Sequence, residues 1–161
     1  MSQPVPPPGN PFADGAYTGA PVPPPAPPRN NVALGVLAAL VAALVAGAIY
    51  GVVAGEIERE IGWAAIGVGF VTGLAAGKIG GANPALPFAS AVFSLGGVYV
   101  GQLVGIAIIG GKELKIPFTE MFFQNFDLLV QAWNQTKDPM TLLFFVLAGV
   151  GAFAGARKAN R

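Results

Sequence analysis

Three carboxylates stand at alternate positions in the stretch GEIERE: Glu56, Glu58 and Glu60. Glu56 and Glu60 lie one helical turn apart and could offer oxygen ligands to a hard cation. Arg59 sits between them and opposes that role, so a solvated turn is the simpler reading. A second polar group is Gln102, in an otherwise uncharged run with Ser90, Ser94 and Tyr99 nearby. Such residues could line a pore, or hydrogen-bond between helices at about 0.6 kcal/mol each. A third candidate is Gly67-Val68-Gly69, which nearly begins the G-x-G-x-x-G loop that cradles a dinucleotide. The chain has no histidine and no cysteine. That removes the commonest general base, most zinc chemistry and the thiol nucleophile. No apolar run holds an internal acid of the kind that relays protons. The sequence therefore predicts no enzyme, no cofactor and no metal, and the elements carrying these residues matter more than the residues.

Charged side chains make up only 11 % of the 161 residues, against about 25 % in soluble domains. The mean hydropathy is +0.61. A net charge of +1, with no basic stretch interleaved with aromatics, argues against a nucleic-acid partner. Residues 1–30 are a different material, holding the runs PVPPPG and PVPPPAPP. Such a segment cannot bury a core and is expected to be a disordered arm of polyproline-II character. It has no basic and then apolar leader, so it does not read as a signal peptide. Its P-x-x-P patterns could recruit a proline-binding partner.

From Asn31 onward the chain predicts four membrane spans. Val32 to Gly55 is uncharged and exceeds the roughly 20 residues needed to cross a bilayer core of about 30 Å. The second span, 62–79, is apolar until Lys78, which can snorkel to the interface. The third covers 86–111 and the fourth, shorter one 140–156. Asn31, Asn83-Pro84 and Asp138-Pro139 supply start signals for the first, third and fourth. The predicted fold class is thus an all-α membrane protein of four transmembrane helices.

The spans also decide the role of the glycines. A dinucleotide fingerprint needs a preceding strand and an acidic residue about 20 positions further on. Here the glycines lie inside an apolar run, and the next acid after Glu60 is Glu113. The recurring interval is four: Gly47, Gly51, Gly55; Gly69, Gly73, Gly77; Gly97, Gly101, Gly105; and Gly151, Gly155. Residues four apart share a helix face, and small residues there let helices approach closely in lipid. All eleven are expected to pack helices, with Gly67 off the stripe. The surrounding bilayer is one partner, and a second copy or another membrane protein could use the same grooves.

Between the third and fourth spans, Phe118, Met121, Phe122, Phe126, Leu129, Val130 and Trp133 share one helical face. Thr119, Glu120, Gln124, Asp127, Gln131 and Asn134 share the other. This predicts one amphipathic helix, lying in the membrane interface or packed as a lid on the bundle. Four spans put both termini on one side. That side carries Arg29, Lys78, Arg157, Lys158 and Arg161, while the other carries Arg59, Lys112, Lys115 and Lys137. The basic C-terminal cluster favours cytoplasmic termini.

The segment EIGWAAIGVGF resembles a loose group of small bacterial membrane proteins with a G-W-x-A-I-G-V-G-F-like opening to a glycine-rich span. Gly62, Trp63, Ala65, Ile66, Gly67, Val68, Gly69 and Phe70 carry the resemblance. The proline-rich head is similar in style to membrane proteins of GC-rich actinobacteria. The resemblance implies a bacterial plasma-membrane location and a multi-pass fold, and it supplies no catalytic residue. The expected role is structural or accessory, through self-association or partner binding at the glycine grooves; the alternative is a subunit of a small oligomeric channel or transporter.

Overall fold

A computed structural model describes residues 30–59 and 61–161. Among these the regular elements are all helices: α1 (Val32–Ile57), α2 (Gly62–Gly80), α3 (Ala85–Leu114), α4 (Phe118–Phe123), α5 (Phe126–Thr136) and α6 (Pro139–Ala159). The protein is an all-α membrane protein in architecture, and α1, α2, α3 and α6 are each long and apolar enough to cross a bilayer. The proline-rich arm falls almost wholly outside the described residues. Its last residue, Asn30, does not behave as loose arm. It bridges Gly81, and its Oδ1 accepts from Asn83 Nδ2 at 3.0 Å.

Local chemistry accounts for the helix starts. Asn31 Oδ1 accepts the Leu34 N–H at 3.4 Å. Asp138 and Thr141 form a reciprocal capping box around Pro139, the first residue of α6. At α3 the expected order shifts by one: Pro84 is the cap residue, and Asn83 Oδ1 reaches past it to the Ala85 N–H at 2.9 Å. The ends run past the apolar windows, to Ile57, Gly80, Leu114 and Ala159. Hydrogen bonding continues a helix beyond the point where hydropathy falls. α1 and α3 stop in left-handed turns at Glu58 (φ 53°) and Lys115 (φ 57°), where glycine would be the unstrained choice.

Packing sorts residues by size, in the reverse of a soluble core. Ala39, Ala43, Ala65, Ala76, Ala148, Ala152 and Ala156 are fully buried or nearly so. Many of the large apolar side chains point out, among them Leu37, Val41, Leu44, Val45 and Ile49 along α1, while Leu86, Val98, Leu103 and Leu129 are among the large ones kept inside. In water such an outer surface would be prohibitive. In lipid it costs nothing, and the small interior gives the close backbone approach that stabilises membrane bundles.

The tightest pairings join α1 to α3 and α2 to α6. In both the residue numbers rise together, so each pair runs parallel: Gly47, Gly51 and Gly55 face Gly97, Gly101 and Gly105 in order. Antiparallel contacts join the pairs, with Ala39 beside Ala76 in one core cluster and Ser94 Oγ 3.4 Å from the Ala148 carbonyl.

The single amphipathic helix expected between the third and fourth spans is instead two helices, broken at Gln124-Asn125. Asn125 turns its Nδ2 back to the Glu120 carbonyl at 3.2 Å, closing the end of α4 before α5 begins. Such local side-chain bonds compete with helix continuation. α4 and α5 fold back along α3, burying Met121 and Leu129 against Leu103 and Ala107. Phe123 and Leu128 stay exposed.

Candidate functional site: the glycine interfaces and the Gln102 pocket

All eleven stripe glycines meet helix partners within the chain. A Cβ on Gly47 or Gly51 would overlap the carbonyl oxygen of Gly97 or Gly101. In return, Cβ atoms on Gly97 and Gly101 would stand 2.5 Å from the Ala43 and Gly47 oxygens. Gly55 and Gly105 continue the row, where added Cβ atoms would stand 3.1 Å from the Gly105 oxygen and 3.3 Å from the Gly51 oxygen. On the other pair, Gly69 and Gly73 press on the Ala148 and Ala152 carbonyls, and a Cβ on Gly77 would stand 2.9 Å from the Ala156 oxygen. Gly151 and Gly155 press back on Ile66 and Phe70. A Cβ on Gly67 would meet no neighbouring helix within 4 Å among the described residues. The faces that could have served a second copy are therefore filled by the chain's own helices.

Sequence reasoning named Gly151 and Gly155 on α6 but did not pair their stripe with that of α2. The signal for that pairing was present: α2 and α6 both carry G-V-G-x-x-x-G, at Gly67–Gly73 and Gly149–Gly155. Each stripe glycine presses on the carbonyl three residues before its counterpart on the other helix, so the contact is reciprocal. Ala148, Ala152 and Ala156 complete the row and were not singled out. Nor was the close approach of Gly35 to Gly80, where a Cβ on Gly35 would lie 2.7 Å from the Gly80 Cα.

The polar residues considered for a pore are turned inward upon helices. Ser90 Oγ donates to the Leu86 carbonyl at 2.6 Å, and Ser94 Oγ to Ala91 at 2.8 Å. Thr72 Oγ1, also buried, donates to Val68 at 2.7 Å. Gln102 is 6 % exposed, and its Oε1 accepts the Trp133 indole N–H at 2.7 Å, tying α5 to α3. Tyr99 stacks edge-on against the same indole with centroids 4.9 Å apart. The Gln102 Nε2 has no hydrogen-bond partner among the described residues.

Of the carboxylates in GEIERE, Glu56 pairs with Lys112 at 3.0 Å across α1 and α3. Both side chains are about half exposed, so the bridge contributes at most about 1 kcal/mol. Glu58 forms the left-handed end of α1, and Glu60 lies outside the described residues. The structure thus places Glu56 against a lysine.

The environment of Asp138 moves its titration. The Thr141 backbone N–H, at 2.8 Å from Oδ1, holds its carboxyl below the usual range, helped by the Thr141 hydroxyl. A lowered native value means that the cap stabilises α6 above the ordinary carboxylate range and is lost as pH falls through it. Between about pH 5 and pH 3 the thermal midpoint of the wild type should therefore fall more steeply than that of Asp138→Asn. Parallel curves in detergent would remove the cap from the acid response.

Compared with protein-family models, curated proteins and solved structures, the chain matches none. The class that the fold itself defines is a multi-pass helical membrane protein closed by glycine–carbonyl contacts.

Proposed function

We propose that the protein is a structural or accessory component of a bacterial plasma membrane, with both termini on the cytoplasmic side. The observation behind this reading is the use made of small and polar residues. Glycine faces are consumed in internal packing, and the hydroxyls that could line a conduit bond to helix carbonyls. What remains for other molecules is the outer apolar surface, where Gly67, Gly96 and Gly149 face open space. Partner contact or self-association then runs through those outer faces instead of the filled grooves. The proline-rich head adds a recruiting element on the cytoplasmic side.

The rival reading, a subunit of an oligomeric channel or transporter, draws on Gln102, the one buried side chain with an unpaired polar atom among the described residues.

Because the chain lacks cysteine, single cysteines give a clean test. Val45→Cys, on the outer face of α1, should crosslink to a second copy or to a co-purifying protein in native membranes. Asn83→Cys should label only from the cytoplasmic side and Asn134→Cys only from outside. Val45→Cys remaining monomeric and partnerless, with ion flux from reconstituted liposomes, would replace the accessory role by the channel.

A further inference from the structure

We infer that the cavity between α5 and the start of α6 is a binding site for phosphatidylethanolamine, with the phosphate at Lys137, the primary ammonium at Asp138 and one acyl chain along α6. The cavity measures about 550 Å³, within the range of about 300–1,000 Å³ usual for ligand sites. Trp133, Pro139, Leu142 and Phe145 give it apolar walls, and Lys137 and Asp138 add one charge of each sign. Both charged residues are exposed, so a ligand can reach them. Neither belongs to an ion pair among the described residues, and the two do not pair with each other. A headgroup carrying both signs satisfies the two together.

Position supplies the hydrocarbon. α6 is long and apolar enough to span a bilayer and begins at Pro139, so the cavity stands at the end of a span, where headgroups meet acyl chains. Leu142, one of its walls, is 70 % exposed, and Val146 and Val150 follow at four-residue steps with 62 % and 59 %. The three make an open apolar stripe about 12 Å long down α6, a track for a chain leaving the cavity. Water alone fits poorly, since an ordered water needs two to four polar partners and the apolar walls leave most of the volume without any. Asp138 Oδ1 and Thr141 are spent on each other, and the Trp133 N–H is spent on Gln102.

The lining also selects the headgroup. The usual seat for a quaternary ammonium is an aromatic face, and here Lys137 Nζ already stands 5.2 Å over the Trp133 ring. A carboxylate favours a group with N–H bonds to give, which makes the ammonium a primary one. Lys137 gives one N–H to Asn134 Oδ1 at 2.8 Å and keeps two for phosphate oxygens. A headgroup with a phosphate and no ammonium meets Asp138 as repulsion.

The experiment uses the full chain with Trp63→Phe, a change at an 81 % exposed position that leaves Trp133 as the one indole. In detergent the protein is titrated with lipids brominated on their acyl chains, which quench a neighbouring indole. The probes are phosphatidylethanolamine, phosphatidylcholine, phosphatidylglycerol and headgroup-free diacylglycerol, with soluble phosphoethanolamine as a competitor. Each exposed charge contact should be worth about threefold in midpoint and the two together about tenfold. Saturable quenching is therefore expected at about tenfold lower concentration for phosphatidylethanolamine than for diacylglycerol, with the other two lipids between them. Lys137→Gln should weaken phosphatidylethanolamine about threefold. Asp138→Asn, which keeps a capping side chain on α6, should weaken it as much while strengthening phosphatidylglycerol. Equal midpoints for all four lipids would make the cavity ordinary bilayer contact, and quenching that never saturates would make it a void. Competition by phosphoethanolamine as strong as by the whole lipid would make it a site for a soluble molecule. Each of these overturns the inference, as do charge variants that leave the order of the lipids unchanged. None of them bears on partner crosslinking at Val45, so this site and the accessory role stand or fall separately. If Trp63→Phe does not fold, bound lipid counted on the wild type by native mass spectrometry gives the same ranking.

Discussion

Gly73→Ala should destabilise the bundle nearly as severely as Gly73→Leu, although alanine is normally the mild replacement in a small-residue stripe. The sequence alone predicts that alanine would still permit close approach. In the structure the added Cβ itself overlaps the Ala152 carbonyl oxygen, with the Ala152 carbonyl carbon at 2.7 Å and the Ala156 nitrogen at 2.9 Å. Those atoms are helix backbone and cannot rotate away, so α2 and α6 must separate along their length. Overpacking of this kind costs about 1–3 kcal/mol and sometimes more. Gly67 provides the internal control. Nothing lies within 4 Å of its Cβ position, so Gly67→Ala should gain up to about 1 kcal/mol from helix propensity. Thermal unfolding of the purified variants measures both. A Gly73→Ala protein as stable as wild type would show that α2 and α6 do not touch as described.

The second large effect concerns the tie between α5 and α3. Trp133→Ala removes an indole that contacts Tyr99, Phe145 and Gln102, and truncation of a packed aromatic costs about 3–5 kcal/mol. Part of that cost is electrostatic, because the Gln102 carbonyl loses its donor as the amide already lacks an acceptor. Trp133→Phe isolates this part. In the wild-type background it should cost about 1–3 kcal/mol, and in a Gln102→Leu background clearly less, since no buried amide is then left unpaired. Additive losses would mean that the hydrogen bond contributes nothing beyond packing.

How far the fold could be read in advance depended on the range of the signal. The spans were legible because hydropathy and capping act within a single segment, as at Asp138-Pro139. The glycine stripes were legible as faces, since a spacing of four fixes which side of a helix they share. Their pairing was not legible. Nothing local states that the stripe of α1 meets α3 and not its own hairpin mate α2. The repeated G-V-G-x-x-x-G was the one clue to the α2–α6 match, and it lies in two segments far apart in the chain. The break at Gln124-Asn125 was hidden for a different reason. The apolar pattern runs smoothly across it, while the Asn125-to-Glu120 bond that ends α4 depends on a single side chain's rotamer. Gln102 looked like an ordinary polar residue in a span until Trp133, 31 positions later, took its carbonyl and exposed the imbalance.

The parallel pairing has a consequence for how the protein is made. Neither helix of the first hairpin can close its glycine face when it leaves the ribosome, because its mate has not yet been translated. α1 waits for α3, and α2 waits longer, from its end at Gly80 to the end of α6 at Ala159. At synthesis rates of about 5–20 residues per second that interval is roughly 4–16 s. For those seconds α2 sits in the membrane with three bare glycines, able to pair with any helix offering a similar face. Fidelity of assembly in this protein is thus a matter of timing as well as fit, and slowed translation after the second span should increase the amount trapped in wrong company.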